Sequence, residues 1–319
     1  LNFTTKISCS CDKINFMKSK KEIYYEYFEQ VIKPKVLAYE TYRRKLLAKV
    51  AILTLLCFLA GGAFAFCAIY IVFYKSSILF LFPVVLFIMY AFILRGIISV
   101  IVAGKEFYKK LSDEVLPLFM KPVANFISWP KNQNTATILD SQLFKNFDTQ
   151  DDIATYFGIY NGTNILFSAT QLTLPVKGIT KPNLFKGTLI QLEFEKSINN
   201  HVVIFSKNER KFNHFKQFNP HIEDMNKFVY VFAKNPQKID FITEEFWNKI
   251  KPFGEKYSAK GFEMSYRNNT VLIALRQKRP LQFGSLFRSL LIAKNYDELI
   301  DRFIAIYDLI DVLQANQSE

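Results

Sequence analysis

From Val50 to Tyr74 the chain carries no charged residue, and after Lys75 it runs uncharged again from Ser76 to Leu94. Water-soluble cores do not need apolar runs of this length, whereas a membrane-spanning helix needs roughly 20 consecutive apolar residues. Val50–Tyr74 would make a helix of about 37 Å at about 1.5 Å per residue, enough to cross a bilayer with some tilt. The second run is shorter before Arg95, so its span is extended to about Ala103. Arg95 then sits near the headgroups and snorkels its guanidinium outward, and Pro83 is a candidate kink. The expectation is a two-helix transmembrane hairpin over residues 50–104. A signal peptide is the rival reading, because Ala63-Phe-Ala65 has the form of a cleavage site. Against it, 49 residues precede the run and a second apolar run follows at once.

Charge orients the hairpin. Arg43, Arg44, Lys45 and Lys49 crowd the entrance of the first span; Lys105, Lys109 and Lys110 follow the exit of the second; the connecting turn offers only Lys75. Short basic flanks stay on the cytoplasmic side, so both termini are expected there. These residues and Arg95 are the candidate contacts to anionic lipid headgroups, at roughly 1 kcal/mol each.

The net charge of +13 is spread unevenly. Residues 1–49 hold 11 basic and five acidic side chains, residues 50–104 only Lys75 and Arg95, and the rest a net of +5. No dense basic face marks the C-terminal part, which argues against a nucleic-acid partner. All four cysteines (Cys9, Cys11, Cys57 and Cys67) precede residue 68, so the rest has neither a disulfide framework nor a thiolate metal site. Cys9 and Cys11 lack visible partner ligands, and no metal or other cofactor is expected. Residues 1–19 read as a disordered tail, of which 1–16 could be a start-codon artefact, since Met17 opens a better helix.

Beyond the hairpin, residues 20–49 are expected to form a cytosolic amphipathic helix, with Tyr24, Phe28 and Val31 on one side and, after a break at Pro34, Leu37, Tyr42 and Leu46. Residues 105–137 read as a juxtamembrane helix (Phe107, Leu111, Val115, Leu118) and a linker, with residues 138–319 as a cytosolic domain. A short helix is expected over 138–147. The period then changes to two. Ile153–Tyr160 and Asn164–Leu174 flank Asn161-Gly162, whose residues tolerate positive φ, so a hairpin is expected. Gly187–Glu195 alternates as a half-buried strand, with Leu189, Gln191, Glu193 and Glu195 on the wet face; His201–Phe205 returns after a turn at Asn199-Asn200. Phe228–Ala233 reads as a strand and Thr243–Lys256 as a helix capped by Thr243. Phe262–Tyr266 and Thr270–Leu275 read as a hairpin around Arg267-Asn268-Asn269, and Asp297–Leu313 as a closing amphipathic helix. The fold class is α+β, with a largely antiparallel sheet and flanking helices.

Few residues suggest catalysis. Glu193 and Glu195 share a strand face, and paired carboxylates can do acid–base work when their environments differ; solvated strand residues are far commoner and are the preferred reading. His201, His214 and His221 lack ligand spacing, and His221 with Glu223 and Asp224 reads better as a surface loop than as a metal site. Ser168 lacks the glycines of a nucleophile elbow. Gly104-Lys105 lacks the upstream glycine of a phosphate loop. Asn161-Gly-Thr163 fits a glycosylation acceptor, but a hairpin turn needs the same residues.

The succession Tyr39-Glu-Thr-Tyr-Arg43-Arg44, Asp140-Ser-Gln-Leu-Phe144, Tyr160-Asn-Gly-Thr-Asn-Ile-Leu-Phe-Ser168, Leu184-Phe-Lys-Gly187, Phe228-Val-Tyr-Val and Thr270-Val-Leu-Ile-Ala274 resembles the bacterial membrane protein family catalogued as domain of unknown function 3137. The resemblance extends over most of residues 20–314. It implies an inner-membrane protein with a cytosolic α+β domain and brings no catalytic residue, since the family has no established activity. This chain departs after Phe232, where Gln237-Lys-Ile-Asp-Phe241 replaces the family's Ala-Arg-Tyr element. The expected function is a binding or interaction module held at the bilayer, with lipid headgroups, a protein partner or a second copy of itself as partner. The alternative is a membrane-tethered enzyme acting on a lipid or envelope precursor.

Overall fold

The computed structural model describes residues 19–74, 82–144, 147–174, 183–206, 214–257, 261–278, 280 and 283–318. The expectations for the N-terminal tail with Cys9 and Cys11, and for the turn at Lys75, lie outside these. The chain divides into two compact units: one takes the residues up to Phe28, Pro117–Gln282 and those from Asp297 on, the other Glu29–Leu116 and Phe283–Tyr296.

The second unit is built on two long helices, α2 (Lys33–Tyr74) and α3 (Phe82–Glu114). Neither breaks at the expected membrane boundary; α2 passes through residues 49 and 50 as one rod. Pro34 does not break it either. A π-helical turn, Phe28–Ile32, leads from the preceding helix into α2 without a break, and Pro34 follows that wider turn directly. Pro83 lies in the first described turn of α3. The helices run antiparallel. Tyr42 meets Phe107 with ring centroids 6.0 Å apart, and Leu53 lies over Gly96, where a Cβ would come within 2.7 Å of its methyl. A side chain at 96 would make the Leu53 side chain move aside. From the end of the π turn into early α2 the buried stripe is Ile32, Val36, Glu40, Arg43 and Leu46. Leu37 and Tyr42, expected inside, are 57% and 43% exposed, because the inward face holds an ion pair that a hydrophobic pattern cannot select. Phe107, Leu111, Val115 and Leu118 are all buried, as their spacing predicts. A short helix, α4 (Leu116–Phe119), follows.

The first unit is α+β around a seven-stranded antiparallel sheet. Helix α1 (Lys20–Tyr27), capped by a reciprocal Ser19–Glu22 box, lies on the C-terminal helix α8 (Asp297–Ser318). Strands β1 (Ile127–Ser128), β2 (Thr149–Tyr160), β3 (Thr163–Thr173) and β4 (Asn183–Phe205) pair in that order. The β2–β3 turn is the expected Asn161-Gly162, with φ of 47° and 79°.

Two expected hairpins are not turns. The Asn199-Asn200 and Arg267-Asn268-Asn269 segments are facing kinks in two long strands, β4 and β7 (Phe262–Arg276), which stay paired from Gly187–Arg276 to Phe205–Glu263. The register shifts between Glu193 and Ile198 and again before His201; Asn268 takes φ 55° opposite Ile198. Asparagine tolerates that conformation in a bulge as well as in a turn. Past the kink, β4 leaves β3 and pairs with β6 (Tyr230–Ala233), which pairs with β5 (Lys216–Phe218). The Asn200 side chain holds the bend, donating to the carbonyls of Asn235 and Lys238 and accepting from the His201 and Asn235 amides.

Both sheet faces are covered. Ile138 of α5 (Thr135–Asp140), with Leu143 and Phe144, packs on Leu172, Phe185, Leu189 and Val203. Phe303 of α8 meets Phe167 edge-on at 5.7 Å. Leu189, expected on the wet face, is therefore fully buried, and exposure on that face starts only at Gln191. Helix α6 (Met225–Phe228) precedes β6, and α7 (Glu244–Pro252) is capped by Thr243 Oγ1, which accepts from the Phe246 amide at 3.2 Å.

Candidate functional site

Two places gather polar chemistry: a small pocket in the sheet unit and the basic end of the helix pair.

The pocket lies behind the β4–β7 kink. It is a cavity of about 70 Å³ whose walls include Asp140, Ser141, Ser265, Arg267 and Asn268. Sites for small molecules run to roughly 300–1,000 Å³, so this one holds a few waters rather than a substrate. Arg267 spans its edge, donating to the carboxylate and the carbonyl of Asp140, both at 2.9 Å. His201 stands behind it, 2% exposed, with Nε2 3.0 Å from Ser265 Oγ and 3.2 Å from the Ser141 carbonyl. A histidine–serine contact invites a nucleophile reading, but proton placement argues against it. A carbonyl oxygen only accepts, so Nε2 carries the hydrogen and has no lone pair for the Ser265 proton. Burial lowers the His201 pKa to about 4, against the Ser141 carbonyl that favours the charged ring, with Arg267 and Lys234 opposing charge as well. Among the described residues Nδ1, left a bare acceptor, has no partner. This neutral ring therefore pins β4 to β7 and to the loop after α5.

The other residues weighed for catalysis are not brought together. Glu193 and Glu195 are exposed on β4, and His214 and His221 are exposed in the segments around β5. Ser168 is wholly buried in β3, 3.4 Å from Asn134 Nδ2. It borders a polar network in which the buried Asp152 accepts from Thr170 Oγ1 and the Asn132 amide, each at 2.7 Å. Gly104-Lys105 lies inside α3, not in a loop. Among the described residues no group of His, Cys, Asp and Glu has the form of a metal site.

The helix pair is different. Along the apolar part of α2 and α3, Phe58 is 76% exposed, Phe66 68%, Phe87 72% and Phe92 69%. The grooves between the helices are apolar too; one of about 440 Å³ is lined by Cys57, Ala60, Gly61, Phe64, Phe87, Tyr90 and Ile93. Helix Lys20–Phe66 is long and apolar enough to cross a membrane. At the charged end, Arg44, Lys45, Lys49, Arg95, Lys105, Lys109 and Lys110 are all exposed.

Arg43 is not. It is 6% exposed and makes a two-pronged pair with Glu40, Nε to Oε2 at 2.8 Å and Nη2 to Oε1 at 2.7 Å. Arg44 adds a third contact at 3.2 Å. Arg43 holds the Glu40 pKa down to about 2, with the Leu290 amide and Arg44 helping against burial. The remaining valences reach the chain between β7 and α8. Arg43 Nη1 donates to the Leu286 carbonyl at 2.6 Å, Glu40 accepts from the Leu290 amide at 2.9 Å, and Tyr108 Oη accepts from the Leu286 amide at 2.9 Å. Sequence reasoning missed both Glu40 and this 283–296 segment. The available signals were an acid three and four residues before two arginines, and the run Phe283-Gly-Ser-Leu-Phe-Arg-Ser-Leu-Leu-Ile292.

Comparison with known proteins adds a family. No curated protein matches the chain. Among solved structures, the crystal structure of the mycobacterial trehalose monomycolate transport factor A is similar over 64% of this chain and 93% of that one, at 12% identity and a TM-score of 0.34, too low to carry an argument. A family model described as "Protein of unknown function (DUF3137)" matches residues 183–315. The Leu184–Gly187, Phe228–Val231 and Thr270–Ala274 motifs lie inside that span, and the Tyr39–Arg44, Asp140–Phe144 and Tyr160–Ser168 motifs lie before it. From the start of β4 almost to the end of α8, the chain thus matches the model of the DUF3137 family that its motifs resemble.

Proposed function

We propose that the chain is an integral membrane protein whose α2–α3 pair crosses the bilayer twice, with both termini cytoplasmic, and that the sheet unit is a binding module tethered there. The observation that carries this reading is the outward display of large apolar side chains along both helices, Phe58 and Phe92 above all. Burying a Phe gains roughly 1.5–3 kcal/mol, so a water-soluble fold that left a row of them in solvent would forgo a large part of its driving force. In hydrocarbon the same surface is already satisfied. The exposed lysines and arginines at one end of the pair fit a cytoplasmic headgroup layer.

The site geometry favours binding over chemistry. The polar cavity is water-sized, its histidine presents a hydrogen rather than a lone pair to the serine, and the two glutamates and His221 stand on open surface. A basic surface at the bilayer suits an anionic lipid or an acidic protein segment.

Cysteine mapping tests the topology. In a cysteine-free background, Lys75→Cys is expected to react with an impermeant maleimide from the outside, and Lys49→Cys and Lys105→Cys only after permeabilisation. Release of the intact protein by alkaline carbonate, or equal labelling at all three positions, would overturn the reading.

A further inference from the structure

We propose that residues 283–296 form an interfacial anchor, a bracket that lays Phe287 and Ile292 into the headgroup layer of the bilayer with Arg288 and Lys294 against anionic phosphates. The proposal rests on the two-span reading and deepens it.

The segment belongs to the same compact unit as the helix pair. It is fixed at three points: the Leu286 amide on Tyr108, the Leu286 carbonyl on Arg43 and the Leu290 amide on Glu40. Its ends close on each other, with the Phe283 and Tyr296 rings stacked at 4.9 Å, and Tyr296 Oη donates to the Leu290 carbonyl at 3.1 Å. So held, it sorts its side chains. Phe283, Leu286, Leu290 and Tyr296 are buried, while Phe287 is 75% exposed and Ile292 51%, with Arg288 and Lys294 exposed beside them. Phe287 is thus as open as Phe58 in the apolar stretch of α2.

Its level along the helices names the occupant. Arg43 precedes Val50 by seven residues, about 10 Å of helix, and Tyr108 follows Ala103 by five, about 7 Å. The polar layers add roughly 5–8 Å to each side of the hydrocarbon, so the Tyr108 anchor stands within the headgroup level and the Arg43 anchor at its outer edge. Elements that lie there pair apolar side chains with lysine and arginine. Lys45, Lys49, Lys105 and Lys109 continue the basic zone at the same end of the pair.

The test places a single cysteine at Phe287 and another at Phe58, each in a cysteine-free chain, labelled with an environment-sensitive fluorophore and reconstituted into phosphatidylcholine–phosphatidylglycerol vesicles. Both positions are exposed, so neither exchange opens the core. The expected result is a blue-shifted Phe287 label quenched by headgroup-depth nitroxide lipid, and a Phe58 label quenched by acyl-chain nitroxide. A Phe287 label quenched by aqueous iodide, with Phe58 still quenched by lipid, would overturn the anchor and leave the two-span reading standing. So would a Phe287 label shielded from both quenchers, which would mean a protein cover such as a second copy. Loss of lipid quenching at Phe58 would remove the membrane reading itself.

Discussion

The two units invert each other. In the sheet unit apolar side chains face in and ion pairs face out: Phe167, Ile190 and Phe303 are buried, while Lys20 meets Asp308 and Asp311 at 2.8 and 2.9 Å on half-open surface. In the helix unit Phe58 and Phe92 face out, and the Glu40–Arg43 pair is buried, with side chains 3% and 8% exposed. On the proposed membrane placement the sorting rule depends on the surrounding solvent: water rewards the first arrangement, whereas hydrocarbon does not reward hiding a phenylalanine. A buried pair is itself costly, and its use here is positional: it ties together pieces of chain 243 residues apart.

The largest expected effect is at that pair. Arg43→Met strands the Glu40 carboxylate in a buried site, a loss of about 3–5 kcal/mol to the bracket. Limited trypsin digestion reads it directly, since Arg288 and Lys294 lie in the bracket: cleavage there should accelerate strongly in detergent-solubilised protein. Glu40→Met with Arg43→Met should restore much of the resistance, because an apolar pair carries no desolvation cost. Fluorescence of Trp129 and Trp247, the chain's two tryptophans, both in the sheet unit, is the control. Unchanged cleavage in Arg43→Met would mean that the pair does not hold the segment.

The inversion itself can be broken with one charge placed twice. Phe58→Arg puts a guanidinium in the apolar stretch and should cost about 2.5–3.5 kcal/mol of membrane insertion. Ile159→Arg, at a β2 position 54% exposed, should change the melting of the sheet unit by no more than about 0.5 kcal/mol. The first is measured as the carbonate-resistant fraction, the second by tryptophan fluorescence. Equal, small effects would mean that both surfaces face water.

Most local structure was legible in the sequence, since local physics fixes it. Asn161-Gly162 makes its turn, Thr243 caps its helix, and Leu299, Ile300, Phe303 and Ile306 bury along α8 at helical spacing. The misreadings share a cause. Asn199-Asn200 and Asn268-Asn269 permit a turn or a bulge, and only the partner strand decides between them. Leu37 lost its inward place to Glu40 and Arg43 because those charges find partners in a segment far along the chain. The basic end of the helix pair was readable residue by residue, but the removal of Arg43 from it was not. Leu189 likewise became buried because residues around α5 cover a face that alternation alone marked as wet.

A pH effect in the sheet unit sharpens the contrast with Glu40. There a buried charge is matched; at His201 a buried ring is kept uncharged. The His201 pKa falls from an ordinary 6.5 to about 4 on folding, chiefly through burial. Between those values the unfolded chain binds a proton that the folded chain refuses, so stability is complete above pH 6.5 and drains as pH falls toward 4. From pH 7 to 5.5 the loss should be about 1 kcal/mol, in a range where most carboxylates remain ionised. His201→Phe should lower stability at pH 7, leaving the Ser141 carbonyl and Ser265 without their shared donor, yet flatten the pH dependence. Tryptophan-monitored melts at the two pH values separate these effects. A variant whose pH slope matches the parent's would show that the ring takes up its proton without opening the kink, and that the β4–β7 bend is held by Asn200 and its partners instead.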